Sequence, residues 1–297
     1  MSERVGIVGI GLMGSAISGN LLEAGYEVQG FDIDGKRVDE FVERGGIPAE
    51  SPSAAASGVS WLITSLPTSD IVREVIFGDK GIMASAQDGL ILADATTSRP
   101  EDSERLGSEL AEKGIRFLDA AVSGTSAMAW KKDLIIIAGG DQEDFEACKP
   151  YFDGFSRASY LMGPVGSGAL TKLIINLVLA GNRLALAEGL SLGTKAGMEL
   201  NNLLAVLQDG ACSSKTMVDK GPKMINGDYS PEGLVKISLK DSRLMLEQGQ
   251  RFGSPMLMTG IWSQLAQNAY ENGHAERDSV AVFEVLRKMA GLPERFD

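Results

Sequence analysis

Three groups of residues in this chain have the types and spacing to do chemistry. The first is Gly9-Ile10-Gly11-Leu12-Met13-Gly14, which follows the apolar run 4–10 and opens a helical pattern through Leu21, Leu22 and Ala24. In such a G-x-G-x-x-G turn Gly9 permits the tight bend, Gly11 lets the backbone approach a pyrophosphate, and Gly14 lets helix and strand pack closely. With Leu12 and Met13 in the first turn, the phosphates of a dinucleotide meet free N–H groups and the positive end of the helix dipole. The second is Asp32, at the end of the next strand-like run, where a carboxylate can accept from the adenosine ribose hydroxyls and repel a 2′-phosphate. No basic residue follows until Lys36 and Arg37, so NAD is expected and NADP is the less favoured cofactor. The third is the pair Lys172 and Asn176, i and i+4 on one helix face. Flanked by Leu173 and Ile174, the lysine would be partly desolvated and its pKa lowered, as a proton carrier needs. The alternative is a solvated lysine beside a helix-face asparagine.

A dinucleotide implies hydride transfer, and some side chain must then give or take the proton at the substrate oxygen. The chain narrows the choice. It has one histidine, His274, in the polar stretch Asn272-Gly273-His274, which reads as a surface turn. Cys148 and Cys212 are the only cysteines, so neither a zinc cluster nor a disulfide framework is expected. A tyrosine activated by a lysine four residues on is also excluded. The residues four beyond Tyr26, Tyr151, Tyr160, Tyr229 and Tyr270 are Gly30, Phe155, Pro164, Gly233 and His274. Lysine or a carboxylate remains.

The elements that must position these groups follow from periodicity. Short apolar runs at 4–10, 27–33, 60–66, 89–93, 115–118 and 134–138 alternate with helix-length segments, predicting a doubly wound Rossmann-type parallel sheet with helices on both faces. Ligands of such sheets bind beyond the carboxyl ends of the strands, so Leu66-Pro67-Thr68 and Asp94-Ala95-Thr96-Thr97 are candidate cofactor loops. Each could equally be a helix cap: Thr68 before Ser69, and Thr97 or Ser98 before Pro100. From about residue 166 to 197 the leucine spacing is helical and unbroken by proline, predicting one long helix that links two domains. The remainder is expected to be all-helical, with turns at Asn226-Gly227-Asp228, Ser254-Pro255 and Glu271-Asn272-Gly273. The domains expected are 1–163, binding NAD, and 164–297, helical, for substrate binding and oligomerisation. Gly181, Gly189 and Gly193 are expected to allow close helix packing, and Met256, Met258, Trp61, Trp130 and Trp262 to fill core or interface.

The chain's 297 residues, 44% hydrophobic and with a formal net charge of -12, describe a globular protein with an acidic balance, which disfavours nucleic acid and anionic membrane as partners. The run 173–181 is short of the roughly 20 apolar residues needed to span a bilayer, and no signal-peptide cleavage pattern follows the N-terminal glycines. A cytoplasmic location is expected.

These motifs, in this order, resemble those of the β-hydroxyacid dehydrogenase family, which includes 3-hydroxyisobutyrate dehydrogenase. The likeness spans nearly the whole length. Gly9 to Gly14 resembles the family's cofactor signature, and Leu66-Pro67 and Thr97 its nicotinamide-side loops. Asp119-Ala120-Ala121-Val122-Ser123-Gly124 is similar to its substrate segment, 168–176 to its catalytic helix, and Lys240-Asp241 to its C-terminal lysine element. The resemblance implies Lys172 as general acid/base, Ser123, Gly124 and Asn176 holding the substrate, and Lys240 near the nicotinamide end. It further implies a small anionic hydroxyacid or semialdehyde as substrate, and a homodimer or homotetramer.

The chain departs from the family at Ala121, Thr125, Met128-Ala129, Lys132 and Ile175. Thr125-Ser126-Ala127 followed by Ala129 is similar to the variant of sulfolactaldehyde reductases, which lacks the Ser123-Gly124 pair kept here. Carboxylate and sulfonate therefore both stay open as the anchoring group, with Thr125 as a further substrate contact. A dinucleotide-binding regulatory protein without turnover is the rival from another class.

Overall fold

The computed structural model describes residues 3–293 and Arg295. The chain divides into two compact units, Met1–Lys172 and Leu173–Asp297. The first holds β1 (Arg4–Val8), α1 (Leu12–Glu23), β2 (Glu27–Phe31), α2 (Gly35–Glu43), β3 (Ile47–Pro48), α3 (Pro52–Ala56), β4 (Trp61–Thr64) and α4 (Ser69–Phe77). It continues through β5 (Ile91–Asp94), α5 (Pro100–Ala111), β6 (Arg116–Ser123), α6 (Ser126–Ala129), β7 (Leu134–Gly139), α7 (Gln142–Phe155) and β8 (Ser156–Leu161). The division falls inside α8 (Ser167–Lys195). The second unit adds α9 (Leu200–Asp209), α10 (Lys215–Asn226), α11 (Val235–Phe252), α12 (Leu257–Ala269) and α13 (Val282–Met289).

The sheet order is β3-β2-β1-β4-β5-β6-β7-β8. Alternate side chains of β1, β4 and β5 enter different cores, which is why these strands read as continuous apolar runs. Val5, Ile7, Trp61 and Ile63 pack with Ile17 and Leu21 of α1 and Phe152 of α7. Val8, Leu62 and Leu92 pack on the other face with Ala55 of α3, Ile76 of α4 and Leu106 of α5. The pairing is parallel except between β6 and β7. That reversal was not expected: the link between them holds only the four-residue α6, and Lys132 turns the chain with a positive φ of 56°. The two-residue β3 and the polar-flecked β8 (Ser-Arg-Ala-Ser-Tyr-Leu) also escaped the periodicity reading.

In the second unit Ala180, Leu184, Leu186, Ala187 and Leu190 of α8 form the core with Trp262 and Phe283. The expected turns fall at the ends of α10, α11 and α12. Gly181 lies under Met258 and Gly193 under Leu203, as close packing requires, whereas Gly189 faces open space. Trp61 and Trp262 are core, while Trp130 is 43% exposed and covers Gly19. One membrane expectation needs correcting. By length and composition α8 is apolar enough to cross a bilayer, with a mean hydropathy of 1.4 over its best window. Counting apolar residues only between Lys172 and Arg183 hid this; the leucines beyond Arg183 belong to the core of the second unit.

Candidate active site

One row of the sheet organises the first unit. Phe31, Val8, Thr64, Asp94 and Asp119 are consecutive register partners across β2, β1, β4, β5 and β6, and the first four end their strands. The glycine turn, Asp32, Leu66-Pro67 and Thr97 all lie just past this row, at the edge where ligands of doubly wound sheets bind.

At β1 the turn is set by backbone contacts. Gly9 has φ +94°, and a Cβ there would overlap the Ser65 carbonyl oxygen; a Cβ on Gly14 would overlap the Gly9 carbonyl oxygen. Gly11 is different. Its only neighbour is the flexible Arg37 guanidinium, whose Nη1 would lie 3.1 Å from an added Cβ. Gly11 starts α1 and no side chain caps that helix, so its first N–H groups point outward. Asp32 holds the turn: its Oδ2 accepts from the Ile10 N–H at 2.6 Å and its Oδ1 from the Asp34 N–H at 2.9 Å. Arg37 stands 3.8 Å from Asp32 and 3.4 Å from Asp34.

The next two loops are tied to each other. The Thr64 hydroxyl donates to Asp94 Oδ1 at 2.8 Å, which also accepts the Thr96 N–H at 3.0 Å, and the Thr96 hydroxyl accepts the Leu66 N–H at 3.1 Å. All three side chains are buried. They hold Leu66-Pro67 beside Thr97 at the edge. Of the two cap readings, Thr68 does cap α4, accepting from the Ile71 N–H. At α5 the cap residue is Arg99, which precedes Pro100.

β6 runs beyond β5 to Ser123, paired there with Ile135 of β7, and Gly124 follows with φ +143°. Thr125 caps α6, its Oγ1 accepting from the Met128 N–H at 3.3 Å, which leaves its own hydrogen to donate. Back at the row, Asp119 Oδ1 accepts from the Gly166 N–H at 2.9 Å and Oδ2 from the Ala169 N–H at 2.5 Å. Its carboxylate thereby caps α8, whose first turn carries no acidic residue of its own. Burial pushes the Asp119 pKa up to about 7, opposed by these N–H groups and aided by Asp94. Lys172, half-buried, follows one helical turn after Gly168 and Ala169.

In the second unit the Asn176 side-chain N–H donates to Asp241 Oδ2 at 2.9 Å, and Lys240 Nζ is 3.3 Å from Asp241 Oδ1. Arg183 shares this neighbourhood: burial lowers its pKa, against the pull of Asp278 and Asp241. Thus Gly9, Gly11, Leu12, Met13, Gly14, Asp32, Leu66, Pro67, Thr97, Ser123, Gly124, Thr125 and Lys172 belong to the first unit, and Asn176 and Lys240 to the second.

The turn fits a dinucleotide: two of its glycines are enforced by backbone and the third is left open toward outward-pointing N–H groups. Sequence reasoning named Asp94 and Thr96 only as part of a candidate loop and missed Thr64, the network that ties the three together, and the capping role of Asp119. The available signal was a carboxylate inside an apolar strand, as in Arg-Phe-Leu-Asp-Ala-Ala-Val.

Comparison with known proteins bears on this geometry. Residues 4–163 match the model for the NAD binding domain of 6-phosphogluconate dehydrogenase, and 166–286 that for the NAD-binding region of NADP-dependent 3-hydroxyisobutyrate dehydrogenase. The chain is 30% identical to 2-(hydroxymethyl)glutarate dehydrogenase of Eubacterium barkeri, over 98% of this chain and 97% of that one. It is also 30% identical to L-threonate dehydrogenase of Cupriavidus necator, over 96% and 97%. A crystal structure of 3-hydroxyisobutyrate dehydrogenase from Salmonella typhimurium superposes with a TM-score of 0.88 at 25% identity, covering 96% of this chain and all of that one.

Proposed function

The chain belongs to the β-hydroxyacid dehydrogenase family and is a nicotinamide-dependent hydroxyacid dehydrogenase, and from that premise we propose that it interconverts a small β-hydroxyacid and its semialdehyde using NAD, with Lys172 as the general acid/base. When bound, the dinucleotide supplies the two-electron acceptor or donor. The protein's own residues do the rest. In oxidation a neutral Lys172 takes the alcohol proton; in reduction its ammonium returns one to the forming alkoxide. Asn176, oriented by Asp241, and the Ser123 hydroxyl with the Gly124 N–H and Thr125 hold the substrate and its acid group. A role for Lys240 toward the nicotinamide end rests on the family resemblance.

The observation that carries the reading is that Lys172 sits one turn beyond a helix start bonded to Asp119, in the row past which the cofactor loops lie. Asp32 and Asp34 at the adenosine end favour NAD over NADP, because a 2′-phosphate there meets two carboxylates and one arginine already paired with them. Free Cys148 and Cys212 suit a reducing cytoplasm, and exposed Leu257, Met258 and Ile261 on α12 suit a homo-oligomer.

The test is an activity screen with NAD and NADP on 3-hydroxyisobutyrate, glycerate, threonate, dihydroxypropanesulfonate and their aldehydes. NAD-linked turnover of at least one acid is expected. Dinucleotide binding with no turnover on any of them favours the non-catalytic reading, and a preference for NADP overturns the assignment of Asp32.

A further inference from the structure

We propose that Asp119 is a positioning residue for the proton carrier: its carboxylate clamps the first turn of α8 and thereby sets where Lys172 presents its amine. The inference rests on the assignment of Lys172 above.

The case begins with what a helix start requires. The first N–H groups of α8 have no intrahelical partner; the Ser167 N–H bonds to the Pro164 carbonyl at 3.0 Å, and Gly166-Ser167-Gly168 brings no acid for the others. Asp119 reaches across from β6 to bond the Gly166 and Ala169 N–H groups with one oxygen each. The backbone closes around this contact. A Cβ on Gly168 would lie 2.6 Å from the Asp119 and Ile137 carbonyl oxygens and 2.8 Å from Asp119 Oδ2. Gly139, the register partner of Asp119 on β7, is held within contact of both Asp119 and the Gly168 N. Two glycines therefore let helix, strand and carboxylate meet at one point, and Lys172 is i+4 from one of them. A helix is stiff over one turn, so an error at 166–169 is carried to 172.

The clamp is sensitive to protonation. The neutral acid keeps one full acceptor where the carboxylate offers two, and burial lifts this carboxyl to about 7. The charged groups beside the clamp, among the described residues, are Asp94 on β5, in register with Asp119, and Glu104 of α5 against Gly166; β7 presents Gly139, and Lys172 follows on α8 one turn after the clamped N–H groups. As pH rises through about 7 the second acceptor appears and the clamp tightens. In the reducing direction turnover therefore gains an acid limb from Asp119, distinct from the alkaline limb on which Lys172 loses its proton.

The experiment compares wild type, Asp119→Asn, Gly168→Ala and Lys172→Ala in three measurements. Hydrogen exchange of the peptide 164–172 at pH 8 reads the clamp directly, and Asp119→Asn is expected to exchange about tenfold faster or more, through loss of one charge-assisted acceptor. NADH affinity, read by fluorescence, is expected to be unchanged. Reduction of the best aldehyde found in the activity screen between pH 6 and 9 is expected to lose its acid limb in Asp119→Asn and keep its alkaline limb, with kcat reduced about tenfold or more. Gly168→Ala, whose methyl displaces the same turn and presses on Asp119 Oδ2 while leaving the titratable carboxyl in place, is expected to lower kcat and keep both limbs. Wild-type exchange at 164–172, or an acid limb retained in Asp119→Asn, overturns the proposal while leaving Lys172 standing. Near-normal turnover in Lys172→Ala overturns the assignment beneath it, and the exchange result still decides whether Asp119 clamps the helix.

Discussion

Substituting alanine at two positions of the same turn separates what the glycine signature does for folding from what it does for the cofactor. At Gly14 a Cβ overlaps the Gly9 carbonyl oxygen, and neither atom is free to move, because Gly9 is itself wedged against Ser65. Such overpacking costs about 1–3 kcal/mol or more, so Gly14→Ala is expected to lose stability and dinucleotide binding together. At Gly11 the added methyl meets only Arg37 Nη1 at 3.1 Å, the far end of a side chain that is 48% exposed and can swing aside. Gly11→Ala is therefore expected to unfold within about 0.5 kcal/mol of wild type, as surface substitutions do. The methyl nevertheless occupies the space through which a pyrophosphate must approach the first N–H groups of α1. Losing two charge-assisted hydrogen bonds of about 1.5–3 kcal/mol each lowers affinity by about 10²-fold or more. NADH fluorescence titration and denaturant unfolding measure both quantities on the same samples. Wild-type NADH affinity in a well-folded Gly11→Ala refutes the reasoning, because the open side of the turn is then not where the phosphates lie.

Two further substitutions probe each unit. Asp32→Asn removes the charge and one of the two acceptors that hold the Ile10 and Asp34 N–H groups. It is expected to weaken NAD binding about tenfold and narrow the discrimination against NADP, as read from Kd values for both. In the second unit Lys220, 6% exposed, is 2.9 Å from the fully buried Asp278. Lys220→Ala leaves that carboxylate with the Gly233 and Val280 N–H groups and the attraction of Arg183, and is expected to cost about 3 kcal/mol in denaturant unfolding. A cost below about 1 kcal/mol shows that the pair adds little.

The sequence revealed most where one residue type answers one local demand. Gly9 and Gly14 must be glycine because backbone oxygens lie against them, and a six-residue motif carries that demand intact. The long helix and the ends of α10, α11 and α12 were legible for the same reason, as leucine spacing and turn residues report local geometry. What escaped depends on distant partners. Asp119 caps a helix start 47 and 50 residues away, which no window of sequence contains. The Thr64, Asp94 and Thr96 network joins two loops 30 residues apart, so those side chains read as ordinary strand-end polar groups. The reversal of β7 followed from a connection too short for a crossover, and β8 from pairing that its composition does not advertise. Asn176 was found by its spacing from Lys172, but its orientation depends on Asp241, 65 positions on.

The account turns on one amine, and the most direct measurement is the turnover of Lys172→Ala beside its NADH affinity, using the best substrate found in the screen. Loss of about 10²- to 10⁴-fold in kcat with NADH still bound as in wild type is the predicted outcome. Turnover within a fewfold of wild type contradicts it.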